Sequence, residues 1–209
     1  MNLSSSKNSR YIPCSSLKDI IEASLIDKEL TLELINKLDP KCTEETKPRD
    51  REYLISLEDI KPYVKFAQTN KEIATQLLNK TYTTYYGEEK PYLQVSKEMN
   101  FEKFVEQYNK NPELAEFLIN YNTTDYNGKE VPKFSLYEIV EILENSTDKN
   151  KDFVIEIVNK KSKMGNYDFY NSTSIINLTK ASNIDLETTQ EILNDKTRER
   201  AESSNSSAY

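Results

Sequence analysis

Two short phrases recur along the chain, and no other feature restricts its fold as much. The first phrase begins with Ser or Asn and continues into apolar residues at helical spacing. Its copies are Ser16-Leu17-Lys18-Asp19-Ile20, Ser56-Leu57-Glu58-Asp59-Ile60, Asn100-Phe101-Glu102-Lys103-Phe104, Ser135-Leu136-Tyr137-Glu138-Ile139 and Ser174-Ile175-Ile176-Asn177-Leu178. A Ser or Asn side chain accepts from the free N–H groups of a first helical turn, and Asp19, Asp59 and Glu138, three residues on, suit the positive end of the helix dipole. Five helix starts are therefore predicted. Each has one buried face, made in the first by Leu17, Ile20 and Ile21 and in the fourth by Leu136, Ile139, Val140 and Leu143.

The second phrase is two apolar residues followed by Asn: Leu34-Ile35-Asn36, Leu77-Leu78-Asn79, Leu118-Ile119-Asn120, Ile157-Val158-Asn159 and Ile192-Leu193-Asn194. The spans from start to Asn, Ser16 to Asn36, Ser56 to Asn79, Asn100 to Asn120, Ser135 to Asn159 and Ser174 to Asn194, are nearly equal. Each leaves room for two helices of two to three turns and a short polar link. "NKNPE" at 109–113 reads as such a link, since Pro112 suits the first turn of the second helix. "NSTDKNKD" at 145–152 reads as another. Two structural roles are open for the recurrent Asn. It ends the second helix in the left-handed conformation, or its amide bridges backbone groups of adjacent repeats.

Successive starts, at 16, 56, 100, 135 and 174, keep close to the period of two-helix repeats, which is about 40 residues. A hairpin of that size cannot bury its apolar face alone and needs a neighbour. The pattern resembles an α-solenoid of the HEAT or armadillo type over roughly residues 11–195. The resemblance implies an all-α, right-handed solenoid of about five two-helix repeats with long inter-repeat connections, the repeats being about 11–50, 51–92, 93–130, 131–170 and 171–195. Polar, mobile ends are expected at 1–10 and 196–209. It also implies a curved scaffold that binds other macromolecules along one surface. A helical bundle with accidental echoes is the competing architecture.

The connections from each Asn to the next start, 36 to 56, 79 to 100, 120 to 135 and 159 to 174, are longer than compact helical repeats leave without structure. "YTTYYGEEKPYLQV", "YNTTDYNGKEVPKF" and "KMGNYDFYNST" share aromatics and a turn, and each is expected to hold a third short helix or an extended segment packed along the stack. With only three glycines the chain is poor in the turns and hairpins of an all-β protein, so helix is the default.

The same composition restricts chemistry. The chain has no histidine, the commonest general base and zinc ligand. Cys14 and Cys42 are too few for a four-cysteine metal site, and neither has a companion that would lower its pKa. A hairpin would bring both to its open end, yet in a reducing cytosol they stay thiols. No glycine-rich phosphate loop exists. Glu44-Glu45 and Glu88-Glu89 lie in polar stretches that raise no acid's pKa, and "DKNKD" at 148–152 lacks the glycine and distal glutamate of a calcium loop. No catalytic residue, cofactor or metal is expected. The Asn-x-Ser/Thr sequons at Asn122, Asn145 and Asn171 imply no compartment. A net charge of −7 opposes attraction to nucleic-acid phosphate, and no run approaches the roughly 20 apolar residues of a membrane span. A cytoplasmic monomer is expected.

Stacking of such repeats would line the connections along one edge. That brings Tyr82, Tyr85 and Tyr86 near Tyr121 and Tyr126, and those near Tyr167, Phe169 and Tyr170, with Glu88, Glu89, Asp125 and Asp168 adding negative charge. Tyrosine suits recognition, because its ring loses little entropy and its hydroxyl still hydrogen-bonds. The expected function is a non-enzymatic scaffold that binds a polypeptide, favouring one with basic residues. The competing role for these rings is to hold the connections down on the helix ends. Alternative functions are a structural or regulatory module, as a segment of a larger repeat assembly, or an immunity- or antitoxin-like blocking protein. An RNA-binding helical repeat is opposed by the acidity.

Overall fold

The helices form in pairs. The computed structural model describes residues 12–37, 53–83, 87–94, 100–124, 128–160 and 171–194. Among them α1 (Leu17–Ile26) precedes α2 (Lys28–Asn36), α3 (Ile60–Thr69) precedes α4 (Lys71–Asn79), and α5 (Phe101–Lys110) precedes α6 (Pro112–Asn120). α7 (Leu136–Glu144) and α8 (Lys151–Asn159) follow, then α9 (Ser172–Ile184) and a last helix, α10, over 186–194. The expectations for residues 1–10 and 196–209, and for Cys42, lie outside the described residues; Cys14 is an exposed free thiol.

In four pairs a single non-helical residue turns the corner: Asp27, Asn70, Asn111 or Asp185. Asp27 shows how one residue serves both helices. Its N–H donates to the Ala23 carbonyl at 3.0 Å, closing α1, and its carboxylate accepts from Leu30 N at 2.9 Å, opening α2. Asn111 and Asp185 cap α6 and α10 in the same way, accepting from Leu114 N at 3.2 Å and Thr188 N at 3.0 Å. These caps satisfy donors that a helix start would otherwise leave bare.

Three of the expected starts stand in position, and two of them cap as read: Asn100 accepts from Lys103 N at 2.9 Å and Ser135 forms a reciprocal capping box with Glu138, whereas Ser16 precedes α1 without a side-chain cap bond. Two are displaced. Ser56 opens a turn instead, accepting from Asp59 N at 3.0 Å, and α3 begins only at Ile60. The Asp59 carboxylate that would complete a box there reaches across to Phe101 N, at 2.7 Å, in the next pair. At α9 the cap is Asn171, accepting from Ser174 N at 2.8 Å, because Asn three residues upstream caps as well as Ser does.

The recurrent Asn is the last helical residue of α2, α4, α6 and α8, but not in the left-handed conformation. Among the described residues only Gly87 and Gly128 have positive φ. Asn79 and Asn120 instead donate back to the Thr75 and Glu116 carbonyls, at 3.0 and 2.9 Å, satisfying last-turn acceptors. Asn120 does join two pairs, accepting from Gln76, though through a side chain rather than backbone.

Two connections are β-hairpins, the extended alternative. β1 (Thr81–Thr83) pairs antiparallel with β2 (Glu89–Pro91), Thr81 opposite Pro91; β3 (Asn122–Thr124) pairs with β4 (Glu130–Pro132), Asn122 opposite Pro132. Gly87 and Gly128 follow the tips at φ 78° and 81°, a conformation costly for any residue with a Cβ. Scarce glycine therefore did not prevent hairpins, because each uses one. The fold remains mostly helical, and among the described residues the strands lie in these two connections.

The first helices of the pairs pack in chain order, α1 on α3, α3 on α5, α5 on α7 and α7 on α9, while β1 lies against β4. One apolar core runs through them from Ile20 to Ile176. Its aromatic centre joins Tyr63, Phe66, Phe101 and Phe104, with ring centroids 5.3–5.7 Å apart. Many of the side-chain bonds between pairs link residues 38–44 positions apart, as in Lys151–Glu113, Lys61–Glu22 and Gln76–Asn120. That separation is the period of the sequence phrases.

Candidate functional site

The two hairpins start from the residue after the recurrent Asn. Lys80 accepts from Tyr92 N at 3.0 Å, and Tyr121 accepts from Lys133 N at 3.1 Å, so each hairpin closes on the same backbone bond. Lys37 accepts from Leu54 N at 3.4 Å, repeating that closure at the first connection. Above it sits one cation and one ring. The Lys80 ammonium lies 5.2 Å from the Tyr92 centroid, and the Lys133 ammonium 5.6 Å from that of Tyr121. Burial holds the Lys80 pKa below the ordinary lysine value, and the π face offers the desolvated ammonium electrostatic compensation.

An aromatic seam ties both hairpins to the helices. Tyr82 meets Tyr92 edge-on at 5.9 Å, Tyr92 donates its hydroxyl to the Phe134 carbonyl, and Phe134 lies 6.4 Å from Tyr121, which meets Phe117 at 5.6 Å. Burial raises the pKa of both Tyr82 and Tyr92, with the Glu138 charge adding to it. Tyr82 and Tyr121 are thus brought into one region through Tyr92 and Phe134. Both are half-buried and pack against the apolar core.

The acids of the same edge are exposed. Glu89 accepts from Thr81 Oγ1 at 3.1 Å and pairs with Lys129 of the second hairpin at 3.8 Å; Glu88 pairs with Lys90 at 3.7 Å. Glu130 repeats the role of Glu89, accepting from Asn122 Nδ2 at 3.1 Å. The edge is therefore of mixed charge rather than uniformly acidic. Tyr85, Tyr86, Asp125, Tyr126, Tyr167, Asp168, Phe169 and Tyr170 lie outside the described residues. Beside the first hairpin, Lys71, Glu72, Thr75, Gln76, Asn79 and Lys80 line an open depression of about 800 Å³ along α4.

The sequence reading passed over Lys80, Tyr92, Lys133, Phe134 and Lys129. A signal for the first three was present. The same spacing separates both cation–ring pairs, 80 to 92 and 121 to 133, with Lys and Tyr exchanged. Among the described residues no three His, Cys, Asp or Glu side chains are placed to share a metal ion, and no helix is long and apolar enough to cross a membrane. Comparison with known families, curated proteins and solved structures finds no match to this chain.

Proposed function

We propose that this protein is a non-enzymatic α-solenoid scaffold that binds a polypeptide along the edge formed by its hairpins. The observation that carries this reading is the side-by-side placement of two hairpins of equal register, with β1 against β4 and Lys129 paired to Glu89 between them. Of the charged side chains there, Glu88, Glu89, Glu130 and Lys129 are exposed while Lys80, Lys90 and Lys133 are half-buried, so acid prevails among those that face solvent. An extended peptide can meet the edge of a short hairpin with main-chain hydrogen bonds. The ligand class is an extended polypeptide with basic residues. The side-chain bonds that recur at separations of 38 to 44 positions support a serial, solenoid-like stacking of the pairs.

The test is an array of immobilised peptides, basic, acidic and neutral, probed with wild type and with a Glu88→Lys, Glu89→Lys, Glu130→Lys variant. Basic peptides are expected to retain the wild type, and the variant to lose them at an unchanged melting temperature. Retention that ignores peptide charge, or that survives the reversal, overturns the reading.

A further inference from the structure

Apolar exposure is concentrated at the two ends of the helical array. Among the described residues, seven of the eight exposed large hydrophobic side chains belong to α1, α2, α9 and α10, and the eighth, Tyr137, is exposed by only 37%. Comparison of equivalent positions explains this. The first residue of α1, Leu17, is 48% exposed, whereas its counterparts Ile60, Phe101 and Leu136 are exposed by 0, 0 and 2%. One turn further, Ile21 is 50% exposed, while its counterparts Val64 and Val140 are exposed by 0 and 1% and Val105 is half-buried. These positions are covered where a preceding pair lies alongside, and among the described residues none lies before α1.

The opposite end carries the other half. The first apolar residue of the second phrase is 0% exposed at Leu34, Leu77, Leu118 and Ile157, and 56% exposed at Ile192. Ala23 is fully buried, while Ala181, equivalent to it by the shared corner residues Asp27 and Asp185, is exposed. Ile175, which faces back into the array, is buried. The start of the array thus keeps the surface that receives a preceding pair, and its end keeps the surface that receives a following one.

We propose that these two ends bind each other between molecules, so that a second copy of this chain adds head to tail. Each internal junction is a join of these same two surfaces, so the contact between copies repeats a packing the chain already makes. Start-to-start pairing would instead oppose two identical receiving surfaces, an arrangement found nowhere inside. A head-to-tail contact is heterologous and grows as an open chain unless its rotation closes a ring. Lys18 occupies the place of Lys61, which binds Glu22, and the place of Glu22 in the last pair is held by Lys180. Each of these two lysines has a carboxylate of its own, Lys18 pairing with Glu22 at 3.8 Å and Lys180 with Glu141 at 3.2 Å, so the join brings no bare charge to either end.

Sedimentation equilibrium on the full chain tests this. The average mass should rise with concentration. A Leu17→Glu, Ile21→Glu variant and an Ile192→Glu variant should each be monomeric and fold normally, the sites being exposed. Mixed, the two should form a one-to-one dimer and stop, because each supplies the end the other lost. A wild type that stays monomeric at its highest soluble concentration overturns the proposal, as does an Ile192→Glu variant that still associates, or a mixture that does not combine.

Discussion

The two hairpins share a backbone and differ in how far their tyrosines reach. In the first, Tyr92 is 1% exposed and spends its hydroxyl on Phe134 of the next pair. In the second, Tyr121 is half-buried between Phe117 and Phe134, within its own pair and connection. Exchanging Lys and Tyr across the base left the closure intact, since a cation over a ring works from either strand. In the first arrangement the tyrosine of the base is buried and its hydroxyl joins one connection to the next.

The largest test of that contrast is truncation. Tyr92→Ala should cost about 3–5 kcal/mol, as removal of a buried aromatic does, and Tyr121→Ala markedly less; equal losses by urea denaturation would break the comparison. Asp59 gives a second bond that reaches across pairs. Asp59→Ala leaves the buried Phe101 N–H without its acceptor and should cost about 1–3 kcal/mol, while Asp59→Asn keeps an oxygen there. Burial raises the Asp59 pKa, only partly offset by the bond from Phe101. As pH rises through the ordinary aspartate range the unfolded chain loses this proton first, so the group's linkage lowers stability from acid towards neutral pH. Wild type should therefore lose stability relative to Asp59→Asn over that interval. The opposite slope in paired denaturation series would reject a raised pKa.

Smaller effects sharpen the same contrast. Tyr92→Phe removes only the hydroxyl bond to Phe134 and should cost about 1 kcal/mol. Burial also raises the Tyr63, Tyr92 and Tyr108 pKa values, that of Tyr108 to about 12 with help from its bond to Glu116. Stability from keeping these hydroxyls neutral is complete below pH 10 and is lost as pH climbs through the folded values. Tyrosinate absorbance should accordingly rise late in the folded protein and early in urea. Smallest is the cation–ring coupling. A double-mutant cycle on Lys133 and Tyr121 should return about 0.5–1 kcal/mol, and a value of zero would make that approach incidental.

The helix pairs were legible because their signals are local: Asn100 and Ser135 cap where the phrase puts them, and the Asn phrase ends α2, α4, α6 and α8. The hairpins were less so. Strands of three residues carry almost no alternation, and a low glycine count says nothing about where the few glycines stand. Leu17 and Ile21 were expected in a core because they fall with Ile20 at helical spacing; burial depends on what lies alongside, which spacing along one helix does not encode. Register was not legible at the aromatic edge: Thr123, not Tyr121, is the counterpart of Tyr82 in its hairpin, because the two hairpins carry their rings at different positions.

The roughly forty-residue reach of the bonds between pairs also governs how the chain acquires its structure. With each pair held chiefly by the adjacent one, ordering does not wait on closure of a very long loop, and the search resembles a zipper opened at any tooth. Amide protons should then exchange slowest around Phe101 and Phe104, where rings from neighbouring pairs interlock, and progressively faster towards α1 and α10, which fray without unfolding the middle.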